Sequence, residues 1–303
     1  MRIGYPCINR SLSCSSNKTF RLKSYSEEHL VETVRNNLDC LLKILEFNVE
    51  NALFFFRITS DLIPFASHPI NTFNWQDYFR SDFEFIGKFI LRNRIRISMH
   101  PDQFTLINSV KEEIFERSLL ELKYHAKVLD LMKLDTSAKI QIHVGGAYGD
   151  KKKSIERFVT RYRTLDESIL RRLVIENDDK LFDVDDCLEI SAQTKIPVLF
   201  DFFHHTVNHR TFPGKNHFEL IVKTWNRDSD GLPMVDYSSK KNSGRATSHA
   251  DSINAEDFAR FLRITEPFDI DVMLEIKDKE RSAIQASKLA MTDLRICAFL
   301  EGR

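Results

Sequence analysis

Eight short apolar runs alternate with longer amphipathic segments, and this alternation limits the possible folds more than any other feature of the chain. The runs are rich in β-branched and aromatic residues and are apolar almost throughout, which is typical of parallel strands covered on both faces. They span residues 2–5, 53–59, 95–99, 139–144, 173–176, 197–202, 232–237 and 271–276. Eight βα units within 303 residues predict an α/β fold of the TIM (β/α)8 barrel type.

The segments between the runs have the periodicity of helices. Apolar residues recur every three or four positions over residues 30–45, and again over residues 119–132. Asn254, followed at once by acidic residues, predicts the N-cap of a further helix. No linker rich in proline, glycine or serine interrupts the pattern, so we expect a single domain over residues 1–303.

Charge and cysteine content do not discriminate between function classes, but they bear on the cellular compartment of the protein. The 44 basic and 44 acidic residues cancel, so net charge neither supports nor excludes a nucleic-acid partner. No segment has the length and apolarity to cross a bilayer, and we recognise no signal peptide. The five cysteines are scattered and form no CxxC pair, which indicates reduced thiols in a cytoplasmic protein. They are Cys7, Cys14, Cys40, Cys187 and Cys297.

Histidine and carboxylate side chains fall at or just after the ends of the predicted strands. The set is His68, His100, His143, Glu176, Asp201, His204, Asp236, His249 and Glu275. The carboxyl ends of the strands of a TIM barrel meet at one mouth, so we expect these side chains to converge. Such a cluster is costly without positive charge, and imidazole with carboxylate suits Zn²⁺ or Mn²⁺. The sequence therefore predicts a multi-metal centre.

Each of these residues also has a plainer interpretation. A single histidine at a strand end is more often a hydrogen-bonded structural residue, and Glu176 or Glu275 alone could pair with a barrel lysine. We assign His125 to the buried face of a helix for that reason. Exposed loop or helix positions are expected for His205, His209 and His217. The metal hypothesis rests on the whole set, because nine such side chains at successive strand ends are hard to obtain by chance.

Seven segments together resemble the UV damage endonuclease family, TIM-barrel DNA repair enzymes related in fold to endonuclease IV. They are RIGYPCIN, LIPFASHP, ISMHPDQF, HVGGAYGDK, IENDD, FDFFHH and LEIKDKE, and they occur in the family's order. The resemblance implies two or three divalent metal ions, typically manganese, and double-stranded DNA carrying UV lesions as substrate. It implies a nick immediately 5′ to cyclobutane dimers, (6-4) photoproducts and some other lesions, including abasic sites, leaving a 3′-hydroxyl and a 5′-phosphate. We expect a monomer with no organic cofactor and no membrane partner.

The resemblance also assigns roles to individual residues. His68, His100, His143, Glu176, Asp201, His204, His249 and Glu275 correspond to metal ligands of the family. The seventh strand departs from the family pattern Lys-x-His, because Met234 and Asp236 stand at those positions. Asp236 can still ligate a metal through oxygen, whereas Met234 cannot be carboxylated as the family lysine can.

A second group of residues is implied to contact DNA. Gln103 and Phe104 occupy the place of the family's Gln-Tyr probe, which enters the duplex at the lesion. The alternative for Phe104 is a buried loop aromatic, in a chain with 24 phenylalanines. Tyr5 and Asn9 match residues that line the DNA pocket, although alone they read as a strand end and a turn. Lys277 and Lys279 are candidate phosphate contacts or charge partners, with Lys277 assigned to catalysis, or else solvated lysines.

The expected chemistry is metal-assisted hydrolysis without a protein nucleophile, with Glu176 bridging two metal ions. Three alternatives stay open from the sequence. One is an abasic-site endonuclease of the endonuclease IV type, and another is a metal-dependent sugar isomerase or epimerase on a related barrel. The third is a damage-binding protein that has lost its activity.

Overall fold

The eight apolar runs form eight parallel strands that close into a barrel, so the predicted fold is confirmed. The computed structural model describes residues 1–209, 213–239 and 248–302. The strands are β1 (Ile3–Pro6), β2 (Phe55–Ile58), β3 (Arg96–Met99), β4 (Lys139–His143), β5 (Leu173–Glu176), β6 (Val198–Asp201), β7 (Met234–Tyr237) and β8 (Asp271–Leu274). Each strand overlaps its predicted run, and β1 pairs with both β2 and β8 to close the barrel.

Helices cover the outside of the barrel. They are α1 (Glu27–Glu50), α2 (Trp75–Tyr78), α3 (Arg80–Arg92), α4 (Glu112–Leu131), α5 (Lys151–Tyr162), α6 (Glu167–Leu170), α7 (Val184–Thr194), α8 (Phe202–His209), α9 (Lys215–Val222), α10 (Arg227–Asp230), α11 (Ala255–Thr265), α12 (Glu280–Leu289) and α13 (Leu294–Glu301). Short 3-10 helices lie at Leu22–Ser24 and Ser60–Leu62. Asn254 caps α11 as predicted, because its side chain accepts hydrogen bonds from the first backbone amides of the helix.

The barrel interior is layered because side chains alternate between the two faces of each strand. The middle layer is apolar and contains Phe55, Val174, Leu199, Met234 and Met273, with Trp225 against it. Two residues further along the same five strands lie Arg57, Glu176, Asp201, Asp236 and Glu275. The change from apolar to charged therefore occurs at one level of the barrel, immediately beneath its C-terminal mouth.

The opposite, N-terminal end of the barrel is closed by buried ion pairs. Arg2 and Arg96 both contact the Asp271 carboxylate, at 2.9 and 3.0 Å. Lys139 Nζ lies 2.6 Å from Asp230 Oδ1. Each of these charges is partnered, as burial requires, so this end has a structural role.

The expectation that all five cysteines are reduced is wrong. Cys14 and Cys40 form a disulfide with a Cα–Cα distance of 5.8 Å, while Cys7, Cys187 and Cys297 are free. The loop after β1 folds back over α1, and this packing brings together two cysteines that are 26 residues apart. Sequence spacing cannot reveal such a contact, since it depends on how the loop packs.

Three histidines outside the predicted metal set can also be compared with expectation. His125 is buried in α4, where its Nδ1 lies 2.8 Å from the Glu121 carbonyl oxygen, as expected for a structural histidine. His205 is buried in α8 against Phe200, so the expectation of an exposed position is wrong for it. His217 is half-buried beside His205, and the side chain of His209 lies outside the described residues.

In the part of the chain that the structure describes, every helix is too short or too polar to span a membrane.

Candidate metal centre

Strand register brings the predicted ligands to one level at the mouth of the barrel. His143 is the Cα partner of Glu176 across β4 and β5, and Asp201 is the partner of Asp236 across β6 and β7. Three groups of side chains could each hold a metal ion, because within each group the ligand atoms lie within 4.8 Å of one another. They are His100, His143 and Glu176; Glu176, Asp201 and His204; and Asp201, Asp236 and Glu275. Because Glu176 and Asp201 each belong to two groups, the three groups form one continuous cluster.

Glu176 occupies the centre of this cluster and presents one oxygen to each side. Its Oε2 lies 3.4 Å from His100 Nε2, and its Oε1 lies 3.4 Å from His204 Nδ1. Gln141 Nε2 also donates to Oε2, at 2.8 Å. A carboxylate with its two oxygens directed into two ligand groups has the geometry needed to bridge two cations.

Backbone contacts orient the surrounding ligands. The Nδ1 of His100 lies 2.6 Å from the Pro101 carbonyl oxygen, which leaves Nε2 directed at Glu176. The side-chain amide of Asn177 holds the backbone of Asp201 through two hydrogen bonds. Its Oδ1 accepts from the Asp201 amide at 2.9 Å, and its Nδ2 donates to the Asp201 carbonyl oxygen at 3.0 Å. Outer contacts of this kind fix the orientation of metal ligands in proteins.

The last strand completes the cluster. Glu275 follows β8, and its Oε2 lies 3.6 Å from His249 Nε2. His249 packs on Phe203, with ring centroids 4.9 Å apart. Arg57 forms an ion pair with the other carboxylate oxygen of Glu275, Oε1, and a second ion pair, at 2.6 Å, with Asp236.

Burial and charge perturb the acids of the cluster in opposite directions. Burial raises the pKa of Asp201 well above its ordinary value, and it raises that of Asp236 as well. Burial opposes the charge of Glu176 too, but His143, His100 and His204 outweigh it and lower its pKa. Carboxylates so close together cannot all ionise unless more positive charge is present than the guanidinium of Arg57 provides.

His204 records the same excess of negative charge. Burial disfavours its protonated form, yet Asp201 and Glu176 outweigh burial and raise its pKa to about 11. Cations in the cluster would supply the positive charge that this histidine otherwise provides as a bound proton.

Divalent cations fit this set of donors. Asp236 Oδ1 and His143 Nδ1 are buried and have no hydrogen-bond partner among the described residues. Buried polar atoms are normally paired, so unpaired oxygen and nitrogen acceptors beside three carboxylate-containing groups suit a metal. The residues that could hold ions are therefore His100, His143, Glu176, Asp201, His204, Asp236, His249 and Glu275.

Of the predicted ligands, His68 and His249 lie outside the three described groups, and His249, unlike His68, contacts one of them through Glu275. His68 is exposed in the loop after β2, where its Nδ1 accepts a hydrogen bond from the Ile70 amide at 3.0 Å. It lines an open cavity of about 750 Å³ together with Asn71, Trp75 and Lys127. Its role as a ligand stays a prediction.

The predicted DNA contacts divide into buried and exposed residues. Phe104 is 71% exposed in the loop after β3, next to the exposed Gln103, so the alternative of a buried aromatic is wrong. Tyr5 is fully buried and donates to Asn48 Oδ1 at 2.7 Å, while Asn9 donates to the Tyr5 hydroxyl at 2.8 Å. Tyr5 and Asn9 are therefore buried and hydrogen-bonded to each other, and their role in the DNA pocket stays a prediction.

Lys277, the predicted catalytic lysine, is exposed at the mouth. Its ammonium group lies 2.8 Å from Asp251 Oδ1. The contact gives it a charge partner outside the ligand cluster, which is one of its predicted roles, and its role in catalysis stays a prediction.

Two residues of the cluster were not predicted. Arg57 and Gln141 lie inside strands β2 and β4, and Gln141 donates to both Glu176 and Asp236, at 2.8 and 2.9 Å. Their signal in the sequence is a polar residue within an otherwise apolar strand, at a position facing the barrel axis.

A closed parallel barrel with a histidine–carboxylate cluster at its C-terminal mouth defines the class of TIM-barrel proteins with a candidate metal centre. The sequence model of the family UV-endonuclease UvdE matches residues 1–298. The chain is 41% identical over 286 residues to a UV DNA damage endonuclease of Clostridium perfringens, covering 94% of this chain and 69% of that one. It is 34% identical over 295 residues to a UV DNA damage endonuclease of Bacillus cereus, covering 94% and 93%.

Solved structures agree with this relationship. SacUVDE superposes with a TM-score of 0.90 at 45% identity, covering 96% of this chain and 98% of its own. Endonuclease IV of Thermus thermophilus has a TM-score of 0.57 at 13% identity with both chains fully covered, which shows the fold alone. The chain belongs to the UV-endonuclease UvdE family, and it is an endonuclease of DNA repair.

Proposed function

We propose that this protein nicks double-stranded DNA immediately 5′ to cyclobutane pyrimidine dimers and (6-4) photoproducts, leaving a 3′-hydroxyl and a 5′-phosphate. Hydrolysis would depend on two or three divalent cations, with Mn²⁺ the expected ion. The observation that carries the proposal is the continuous ligand cluster at the mouth, in which Glu176 and Asp201 are each shared by two groups. Family membership supplies the substrate class.

The ligand cluster divides naturally into sites. His100 and His143 would hold one ion together with Glu176, and His204 with Asp201 would hold the next. Asp236, Glu275 and His249 lie around the remaining position. When bound, such cations lower the pKa of water to about 7 and offset charge on the phosphate oxygens.

The chain's own residues keep this arrangement in place during the reaction. Gln141 donates to Glu176 and Asp236, so it holds the oxygens of two acids at a fixed separation. Arg57 neutralises part of the charge of Asp236 and Glu275 from inside the barrel. No side chain is needed as a nucleophile, because water is the attacking group.

Lesion recognition would come from the loop after β3. Phe104 is exposed there, a few residues beyond the ligand His100, and its amide donates to Asp102 Oδ1 at 2.7 Å. An exposed ring beside the site can fill the space left by flipped nucleotides, and a damaged pair costs less to extrude. We propose that Gln103 and Phe104 form this probe, and that His68 and Lys277 contribute to metal binding and phosphate contact respectively.

One incision assay tests the proposal. Irradiated, abasic and intact duplexes are incubated with the protein and Mn²⁺, and the ends of any nick are mapped. We expect a nick 5′ to the photoproduct and no cleavage of the intact duplex. Cleavage confined to the abasic duplex would support an activity of the endonuclease IV type instead, and absence of any nick 5′ to a dimer would contradict the proposal.

Two variants connect the assay to the cluster. Glu176→Gln removes the shared carboxylate and should abolish incision and reduce the manganese content of the purified protein. Glu156→Gln is the matched control, because Glu156 is exposed on α5, away from the cluster, and incision should be unchanged. Incision by Glu176→Gln at the unmodified rate would exclude the proposed role of Glu176.

A further inference from the structure

Lys279 adopts a backbone conformation that belongs to glycine. Its φ is 55° and its ψ is −115°, and the amide of Arg281 donates to the Asp278 carbonyl oxygen at 3.2 Å. These values place Lys279 at the second position of a type II′ turn, where glycine dominates because a Cβ is unfavourable there. The turn joins β8 to α12, so it lies at the C-terminal mouth of the barrel.

The turn is held in place from several sides. Glu280 is buried, and its carboxylate accepts hydrogen bonds from the Arg10 amide at 2.9 Å and the Ser11 hydroxyl at 2.7 Å. The Lys279 amide donates to the Ile276 carbonyl oxygen at 3.1 Å. The surrounding structure therefore enforces an unfavourable conformation, which proteins tend to retain where it serves a function.

The Lys279 side chain enters the electrostatic environment of the ligand cluster. Burial lowers the pKa of its ammonium group, Cys7 and Glu275 act in the opposite direction, and the guanidinium groups of Arg57 and Arg10 add to the effect of burial. Lys277 differs, since it is exposed and paired with Asp251. Among the described residues, Lys279 belongs to no ion pair, and Glu275 is the carboxylate that acts on its charge.

We propose that Lys279 is a catalytic residue that contacts the substrate, with its ammonium group binding an oxygen of the DNA phosphate beside the scissile bond. The inference rests on the proposed function and adds to it a cation at the rim of the cluster, on the side of Glu275 and Arg57. A half-buried ammonium group with three donors and no ion pair suits a phosphate oxygen. A lysine in a glycine conformation is explained if the side chain is needed there.

Three substitutions separate the charge of Lys279 from its backbone. Lys279→Met removes the charge, Lys279→Arg keeps it, and Lys279→Gly removes it while relieving the turn. The matched control is Lys195→Gly, because Lys195 also has a positive φ, 66°, but lies at the end of α7, before β6. Relief of the backbone should raise Tm by about 2 °C in both glycine variants.

Single-turnover incision of an irradiated duplex with Mn²⁺ is the first measurement. We expect Lys279→Met and Lys279→Gly to lose about 100-fold in rate, as for removal of one stabilising donor, and Lys279→Arg to retain part of it. Lys195→Gly should cut at the unmodified rate. Unmodified incision by Lys279→Met and Lys279→Gly would overturn the inference.

Duplex binding in EDTA is the second measurement and does not depend on metal. Loss of one phosphate contact should reduce the slope of log affinity against log salt by about one. A slower variant with an unchanged slope and a lowered Tm would show that Lys279 is structural, and it would also overturn the inference. Failure of the unmodified protein to cut irradiated DNA would instead contradict the proposed function itself.

Discussion

Arg57 and Asp236 form a buried ion pair in the barrel interior, with Nη2 and Oδ2 2.6 Å apart. The same guanidinium also pairs with Glu275, and Asp236 accepts a second hydrogen bond from Gln141 at 2.9 Å. The resemblance to the family places a histidine at this position, so Asp236 brings an additional negative charge to the strand-seven side of the cluster. Arg57 neutralises part of that charge.

Arg57→Met should make the stability of the protein depend on divalent metal. Removal of one partner of a buried pair costs about 3 kcal/mol, because the remaining carboxylates are left uncompensated. In EDTA, we expect the free energy of unfolding of Arg57→Met to lie below that of the unmodified protein by this amount. In Mn²⁺, the difference between the two proteins should be smaller. Urea unfolding under both conditions measures it.

Arg96→Met is the control for this experiment. Arg96 forms a similarly buried pair with Asp271, at 3.0 Å, but at the opposite end of the barrel. Arg96→Met should lower the free energy of unfolding by a similar amount relative to the unmodified protein, and this difference should be the same in Mn²⁺ as in EDTA. Equal recovery in both variants would show that the effect of metal does not arise from the cluster around Arg57.

Phe104→Ala should weaken binding to irradiated DNA without affecting folding. Its ring is 71% exposed, so truncation removes little packing. Loss of one base–aromatic stack is worth about 1–3 kcal/mol, which corresponds to a roughly 5- to 150-fold lower affinity for the damaged duplex. Phe104→Tyr should bind normally.

Phe85→Ala controls for loss of an exposed ring, since Phe85 is 60% exposed on α3. Fluorescence anisotropy with damaged and intact duplexes gives the affinities. If Phe104→Ala and Phe85→Ala bound damaged DNA equally well, Phe104 would have no part in recognising the lesion.

His125 should contribute a pH dependence to stability that is separate from the metal cluster. Burial lowers its pKa to about 4 from an ordinary 6.5. Between these values the unfolded chain binds a proton that the folded protein does not, so stability is retained above pH 6.5 and lost as pH falls toward 4. The contribution amounts to about 3 kcal/mol across the window.

Unfolding by urea at pH 7.5 and pH 5, in EDTA, tests this effect. As pH is lowered from 7.5 to 5, the free energy of unfolding should decrease less in His125→Leu than in the unmodified protein. Parallel pH profiles would mean that His125 titrates normally in the folded state.

The number of reactive thiols should report the Cys14–Cys40 disulfide. Three free cysteines, Cys7, Cys187 and Cys297, predict three thiols in denaturant without reductant and five after reduction. A loop of this length also implies a stabilisation of about 3 kcal/mol that is lost with reductant. Detection of five thiols before reduction would show that the pair is not joined.

The fold and most of the ligand cluster could be predicted from the sequence. The strands are continuous apolar runs with a ligand-type residue at or just beyond the end, and β4 through β6 show this in His143, Glu176 and Asp201. Parallel pairing then carries these ends to the same edge, because the strands of a barrel share one direction. Position along the strand was therefore enough to place these candidate ligands at the mouth.

Contacts that depend on depth and on loop packing could not be predicted. Tyr5 and Phe104 are both aromatic residues at or after strand ends, yet one is fully buried and the other is exposed. The Cys14–Cys40 contact depends on a loop returning to α1. Residue type and spacing carry no information on either, since both follow from long-range packing.

By itself, the sequence determined the barrel and the chemical nature of its mouth, because the periodicity of apolar residues and the alternation of side chains are local properties of the chain. The tertiary structure decided how the charges are partnered. It placed Arg57 against Asp236 and Glu275, paired Lys277 with Asp251, and left Lys279 in a glycine conformation beside the cluster. Such pairings join residues from distant strands, and their distances exist only once the barrel has closed.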